Sequence, residues 1–308
     1  MGVIEITAFT EEGWKDPSAR SERARWYCEH LERADILVLP DFPVVGEEDR
    51  RFLTHVRQTA SRFTKNISYE GSSGRLRGFA RLGTDARTLR RVLSGYSDRV
   101  RSVAMELLAP YAAGLQVDFT SFRPIEERDR NLRGRSRNDL IHVDSFPTRP
   151  ARGRRILRFF TNVHPDEPRV WQTGQTFEEL ALRMALDAGL ASCATGQGGL
   201  AARIKRAVTA ATRRAGIQSP GRSRYDQFML RFHDYLKANM DFQRDCPKQR
   251  QEFPPGSTWI AFTDTVSHAV VSGQYALEQT FFVPVDAMVA PERSPLRILE
   301  SIAGVSMA

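Results

Sequence analysis

The sequence predicts a mixed α+β fold whose candidate chemistry lies on strands. Branched and aromatic residues crowd the stretches 116–172 and 258–283, and a block of helical periodicity at 177–242 separates them. The composition, 41% hydrophobic and 27% charged over 308 residues, is that of a folded chain forming one large domain or two small ones.

Taken in order, Val3 to Thr7 and Ile36 to Leu39 read as strands from their branched apolar content. Pro17 to Arg33 between them reads as a helix, because Ala24, Tyr27, Cys28 and Leu31 recur at helical spacing. Glu47 to Ser61 reads as a further helix and Arg87 to Ala113 as one or two, divided at Gly95 if two, with an end near Pro110 and Gly114. Gln116 to Phe122, Leu140 to Phe146, Arg155 to Val163 and Arg169 to Gln172 follow as short strands between Pro-, Gly- and Arg-rich loops. Phe177 to Ala191, Ala201 to Thr212 and Arg224 to Phe242 return to helical periodicity. After Pro254, Pro255 and Gly256, strands resume at Thr258 to Thr263, Ala269 to Ser272 and Tyr275 to Val283. This order fits two domains, or one β structure interrupted by a helical insertion. The second is favoured, because both strand blocks supply residues to one candidate site.

Cys28, Cys193 and Cys246 are odd in number and form no CxxC pair, which excludes a disulfide framework and a cysteine-built zinc site. Glu106 and Pro110 interrupt the most apolar stretch, Ser102 to Val117, so no segment reads as a membrane span. The start lacks the basic and apolar regions of a signal peptide, and position 6 is Ile, which breaks the myristoylation pattern. A cytoplasmic protein is expected. The net charge of +8 favours anionic partners. It is concentrated: Arg123 to Arg158 carries +6, Ala201 to Arg224 carries +7, and the remainder is acidic on balance.

Of six histidines, His30, His55 and His233 lie in helical patterns among charged residues and read as solvated or core-edge. His142 sits in the β-type run Leu140-Ile141-His142-Val143-Asp144, where residues two apart share a face. His142 and Asp144 therefore project together. They make two thirds of a two-His-one-carboxylate triad, which holds iron(II) and leaves positions for a chelating cosubstrate and oxygen. His268, after the strand Trp259 to Asp264, fits as the third ligand. By spacing alone, a strand-end histidine bonded to a nearby aspartate explains the same residues.

Longer motifs carry a resemblance. Asp139-Leu140-Ile141-His142-Val143-Asp144-Ser145-Phe146-Pro147-Thr148-Arg149-Pro150 and Gly153-Arg154-Arg155-Ile156-Leu157-Arg158-Phe159-Phe160-Thr161-Asn162-Val163-His164-Pro165 resemble signatures of the Kdo hydroxylases. Pro168-Arg169-Val170-Trp171, Ser121-Phe122-Arg123-Pro124 and Trp259-Ile260-Ala261-Phe262-Thr263-Asp264 with His268 are similar too, so the likeness spans roughly Gln116 to Val283. That family comprises iron(II)- and 2-oxoglutarate-dependent dioxygenases that hydroxylate carbon 3 of Kdo, the acidic sugar joined to lipid A in lipopolysaccharide.

The resemblance implies a double-stranded β-helix (jelly roll) core at 115–284 with a helical insertion at 177–251. An N-terminal α/β extension at 1–114 would pack on the barrel, and a tail would fill 285–308. It implies His142, Asp144 and His268 as metal ligands and catalytic centre, with iron(II), 2-oxoglutarate and molecular oxygen as cofactor and cosubstrates. Many 2-oxoglutarate enzymes place an arginine ten to fourteen residues after the second histidine; here that window holds Glu278-Gln279-Thr280-Phe281-Phe282 and no cation. A desolvated dicarboxylate still needs a charge-assisted partner. Arg158, on an otherwise apolar strand, is the expected anchor, with Asn162 or Gln279 beside it; an ion pair from Arg158 to Asp118 or Glu278 is the competing account. Arg123, Arg149, Arg154 and Arg169 are the expected substrate contacts, suited to carboxylate and phosphate groups. The expected partner is Kdo-containing lipid A, with peripheral contact at an anionic membrane face. The helix Ala201 to Thr212 is one element that would make it, through Arg203, Lys205 and Arg206 around Ile204 and Val208. A hydroxylase of another anionic substrate is the alternative within this chemistry. A non-catalytic nucleic-acid-binding protein is the alternative outside it, but no recognition motif supports one and no nucleic acid is expected.

Overall fold

The computed structural model describes residues 1–6, 17–40, 42, 44–57, 66–79, 83–130, 132, 134–195 and 221–308. The helix expected at Ala201 to Thr212 and most of the +7 stretch lie outside them. Among the described residues, eleven strands form two sheets. The larger runs in the order β1 (Val3–Glu5), β2 (Ile36–Leu39), β9 (Thr258–Phe262), β6 (Arg155–Asn162), β11 (Ala276–Val283), β5 (Gln116–Arg123), β3 (Ile67–Glu70), β4 (Arg75–Arg77). It is antiparallel except where β1 meets β2. The smaller is β10 (Val266–Ser272), β7 (Arg169–Thr176) and β8 (Gln249–Phe253), also antiparallel. Facing antiparallel sheets of this kind are the jelly-roll core.

The large sheet is covered on both faces, which is why β6, β9 and β11 are buried at every position, although Arg155, Arg158, Glu278 and Gln279 interrupt the apolar residues of β6 and β11. On one face Leu157, Phe159, Ile260, Phe262, Leu277 and Phe281 pack beneath α1 (Pro17–Glu32) and α3 (Thr84–Leu107). On the other, Phe160, Trp259 and Ala261 meet Trp171, Phe253 and Val270 of the small sheet. The rings of Phe253 and Trp259 stack at 4.0 Å across this layer. Burying rings of this size supplies a large part of the core's hydrophobic stabilisation.

The helical block comprises α4 (Phe177–Met184), α5 (Leu190–Ala194), α6 (Arg224–Ala238) and α7 (Met240–Asp245). Capping boxes start α4 at Thr176 with Glu179 and α6 at Ser223 with Asp226. Phe177, Leu180, Tyr225, Phe228 and Phe232 bury against Ile141, Val143 and Ile156 beside the site.

Several sequence expectations need correction. Leu140 to Phe146 forms no strand; its one β bridge joins His142 to His268. Of the one or two helices expected at 87–113 the single one forms: α3 runs through Gly95 unbroken, because Leu89, Val92, Leu93, Tyr96 and Val100 give it a buried stripe that outweighs the roughly 1 kcal/mol cost of a mid-helix glycine. The block expected as one helix at 224–242 splits at Asn239, whose side chain caps α7. α2 (Glu47–His55) stops short of Ser61. β10 begins at Val266, so His268 lies within a strand rather than before one. β3, β4 and the polar edge strand β8 carry too few apolar residues to be read, and β8 overlaps the end expected for the helical insertion. The last stretch holds α8 (Pro295–Ala303), capped by Ser294, opened by Pro295 and closed by Gly304 in the left-handed region.

Candidate metal centre

The segment 140–144 is extended without being a strand because three anchors clamp its backbone. Ile141 exchanges hydrogen bonds with the Gln243 amide at 2.9 and 2.8 Å. His142 and His268 exchange backbone bonds at 3.1 and 2.9 Å, and Asp144 N–H donates to the Thr263 carbonyl at 2.8 Å. Alternation follows from the extended backbone, whatever it pairs with. Ile141 and Val143 enter the helical cluster, and His142 and Asp144 turn the other way.

His142, Asp144 and His268 each offer a ligand atom within 4.8 Å of the others. His142 Nδ1 donates to the Leu140 carbonyl at 2.7 Å, and His268 Nδ1 donates to the Val266 carbonyl at 2.8 Å. A carbonyl only accepts, so each imidazole keeps its proton on Nδ1 and an open lone pair on Nε2. Those lone pairs face Asp144, with Nε2–Oδ separations of 3.8 Å from His142 and 4.0 Å from His268. These gaps are too long for hydrogen bonds. Burial holds His142 well below the usual histidine range, helped by nearby positive charge, and burial lowers His268 as well. Burial pushes the Asp144 carboxyl up, but the Arg158 guanidinium beside it holds it well below the usual range. Two neutral imidazoles and one carboxylate result. Trp171 stacks on His268 with ring centres 4.9 Å apart, fixing that ring's plane.

Arg158 projects from β6 into this cluster. Its Nη1 donates to Asp144 at 2.8 Å and its Nη2 pairs with Glu278 at 3.1 Å. The ion pair to Glu278 weighed in the sequence is therefore present, and Asp144 is an added partner. Asn162 shares Arg158's face, but its side chain binds the carbonyls of Glu167 and Phe253 and the N–H of His164. It closes a turn and does not reach Arg158. Gln279 pairs in register with Phe159 and sits between Leu277 and Phe281, on the helix-covered face. Strand parity puts it on the wrong side of the sheet; it bonds Thr120 and the Asp118 carbonyl instead.

The four expected substrate arginines separate into two pairs. Arg123 is buried between Glu278 and Glu127, and Arg169 between Glu127 and the Gly273 carbonyl. Arg169 is the more enclosed of the two, and Arg123 shares Glu278 with Arg158. Arg149 pairs with Asp118 and lies over the rings of Phe119 and Phe146, and Arg158 lies 5.1 Å over Phe146 from nearby. Arg154 lies over Phe282 and bonds Gln116. Two residues of α6 stand near the site, His233, read as solvated or core-edge in the sequence, and Lys237, not singled out there: the His233 ring meets His142 edge-on at 5.1 Å, and the charge of Lys237 acts on both His142 and His268. Their helix is sequence-remote, so only the fold reveals them.

The comparisons agree with this geometry. Over residues 14–306 the chain matches the family model described as 3-deoxy-D-manno-oct-2-ulosonic acid (Kdo) hydroxylase. Among solved structures it is similar to the Kdo hydroxylase KdoO, a non-haem Fe(II) α-ketoglutarate-dependent dioxygenase, in complex with cobalt(II). Identity there is 34%, over 99% of this chain and 97% of that one, with a TM-score of 0.83. It is similar to the same hydroxylase with α-ketoglutarate and Fe(III), at 33% identity over 100% and 98% of the two chains and a TM-score of 0.81. With succinate and Fe(III) the figures are 33%, 99%, 97% and 0.82. No curated protein matches. A likeness that spans the chain, together with a histidine–aspartate–histidine cluster between the sheets, places this protein in the Kdo hydroxylase family.

Proposed function

We propose that the chain is an iron(II)- and 2-oxoglutarate-dependent dioxygenase that hydroxylates carbon 3 of Kdo, with His142, Asp144 and His268 as its metal ligands. The observation that carries this is the pair of Nε2 lone pairs aimed at one carboxylate across gaps too long to be hydrogen bonds. That donor set fits a divalent iron, which favours imidazole and carboxylate and keeps open positions in a facial triad. When bound with 2-oxoglutarate and oxygen, the metal supplies the oxidising chemistry. The chain's own residues do the rest. The Leu140 and Val266 carbonyls fix both tautomers, Trp171 fixes one ring plane, and Arg158 orients the carboxylate. Product analysis tests the reading: incubation with iron(II), 2-oxoglutarate and a Kdo-bearing acceptor is expected to add one oxygen to Kdo and release succinate. Decarboxylation without oxygenated Kdo would redirect it to another anionic acceptor.

Arg158 is proposed to serve 2-oxoglutarate as well as Asp144. It is the arginine in direct contact with the ligand set, and Glu278 holds it from behind. Arg158→Ala is expected to weaken 2-oxoglutarate binding about 30-fold or more at saturating metal, because a charge-assisted pair is truncated in a desolvated site. Arg158→Lys is expected to recover only part of that, since an ammonium lacks the planar fork. Anaerobic titration with metal-loaded protein measures both. Unchanged affinity would confine Arg158 to orienting Asp144.

The acceptor is proposed to be lipid A-linked Kdo met at an anionic membrane face. No described helix is long and apolar enough to cross a membrane. Much of the +6 segment is internal, because Arg123, Arg155 and Arg158 are buried in pairs. Exposed Arg128 and Arg152 and the partly open Arg149 are left to meet the surface. Binding to vesicles with anionic lipid is expected to weaken as salt rises, since exposed charges are screened over about 10 Å at 0.1 M. Salt-insensitive binding to neutral vesicles would overturn this. We read 115–284 as the catalytic core, with the helical block 177–251 walling the cleft and residues 1–114 bracing the sheet.

A further inference from the structure

We propose that the cavity on the outer face of the small sheet, lined by Arg128, Arg130 and Arg137, is a binding site for a phosphate group. Its volume is about 580 Å³, and Gln172 of β7 and Val271 of β10 lie in its wall. Trp171 points into the layer between the sheets, so by strand parity Gln172 faces away from it. The cavity is still near the metal cluster. Val271 is three strand residues from His268, about 10 Å along β10. Asn138 and Asp139 line it from the segment that leads to His142.

The balance of charge gives the ligand its sign. Glu127 lines the cavity and is shared by three guanidiniums, those of Arg169 at 3.2 Å, Arg130 at 3.5 Å and Arg123 at 3.8 Å. Asn138 donates to it as well, at 3.0 Å. Glu278 also holds Arg123, which leaves Arg130 and Arg169 competing for Glu127. Arg130, with a side chain 5% exposed, and Arg169 each keep a buried Nε–H that finds no acceptor. Interiors rarely leave such donors unpaired, and a bound anion is a partner that completes them. Burial pulls the Arg169 guanidinium down to about 10 and lowers Arg130 too, against the pull of Glu127. Nearer the opening, Arg137 pairs with Asp139 through Nε at 3.0 Å, an exposed contact of small worth. Arg128 is exposed and pairs with no acid among the described residues. The lining thus holds three arginines against two carboxylates, and Arg169 adds to the excess from behind Glu127. A phosphate monoester offers three acceptor oxygens around one centre, which suits donors converging from three arginines; a carboxylate offers two in one plane.

Two sources can bring that group: the acceptor, beyond its Kdo, or phosphate in solution. Nearness to the metal ligands favours the acceptor, an assignment that rests on the hydroxylase reading above. Inorganic phosphate is the first probe, titrated calorimetrically into full-length protein loaded with cobalt(II) and 2-oxoglutarate. Arg128→Ala/Arg137→Ala is expected to weaken its binding about 10-fold or more, because two charged donors are lost. Asp139→Asn is expected to strengthen it about 3-fold by releasing Arg137, a gain that a structural role would not give. Kinetics with detergent-dispersed, Kdo-bearing lipid A, before and after phosphatase treatment, identify the source. The double variant is expected to show a KM raised about 10-fold for the phosphorylated acceptor, and phosphatase treatment to abolish the difference from the unaltered protein. No phosphate binding by the unaltered protein, or equal affinity in all three proteins, would overturn the site. Phosphate binding with an unchanged KM would overturn the acceptor as its source. Failure of the hydroxylase reading looks different, since the protein would then bind phosphate and oxygenate no Kdo.

Discussion

The double variant His142→Ala/His268→Ala is expected to bind no stoichiometric iron(II) or cobalt(II) and to have no hydroxylase activity. Both imidazoles present an Nε2 lone pair to the same carboxylate, so their loss leaves Asp144 as the lone member of the cluster. A single carboxylate keeps a divalent transition metal poorly against water. Even residues that only orient ligands commonly contribute 10- to 100-fold to metal affinity, so removing two ligands should exceed that by a wide margin. Each single variant should fall between. Metal analysis after gel filtration, with circular dichroism to confirm the fold, gives the answer. Retained stoichiometric metal would move the centre elsewhere. Zinc or cobalt should occupy the unaltered site without supporting oxygenation.

How far the site was legible depends on what kind of information placed each residue. His142 and Asp144 share a side because any extended backbone alternates, so the pairing survives although the strand assumed for it does not exist. The strands β6, β9 and β11 were readable from their density of branched and aromatic residues, although Arg155, Arg158, Glu278 and Gln279 interrupt two of them. Gln279 shows the limit of reasoning from nearness along the chain. One residue from Glu278, it faces the opposite side of the sheet, and counting parity from Leu277 and Phe281 would have shown it. Arg123 and Arg169 look like anion contacts in sequence, yet Glu127 and Glu278 neutralise them inside the protein. Pairing between residues remote in sequence cannot be read from composition. His233 and Lys237 were hidden for the same reason: a helix's charged face looks solvated until the surface opposite it is known.

Arg155→Met is expected to give the largest loss of stability among single changes near the site. Arg155 and Asp264 are both fully buried. The guanidinium donates to Asp264 through Nε at 3.0 Å and Nη2 at 3.2 Å and to the Thr265 hydroxyl at 2.9 Å, and it lies 3.9 Å over the Phe262 ring. Asp264 also accepts from the Ile156 N–H. The pair pins the turn between β9 and β10. That turn supplies the carbonyls of Thr263, which anchors Asp144, and Thr265, which bonds Phe177 at the start of α4. Removing one partner of such a pair costs roughly 3–5 kcal/mol, because the other charge stays buried. For a chain this long that corresponds to a melting shift on the order of 10 °C. The sign of the pH dependence follows. Burial already pushes the Asp264 carboxyl up, and Arg155 opposes that. Without Arg155 the folded carboxyl holds its proton to higher pH than the unfolded one, whose value is about 3.9. The folded state then binds more protons, so the variant's stability, relative to the unaltered protein, falls as pH rises above that value and levels off above the folded pKa. Arg155→Met/Asp264→Leu should recover most of the loss, since apolar replacement of a buried pair is often close to neutral. Urea unfolding of both variants from pH 5 to 8 measures this. A single variant as stable as the unaltered protein would mean that the turn is held by its backbone bonds alone, and the site's clamp would then need no buried charge.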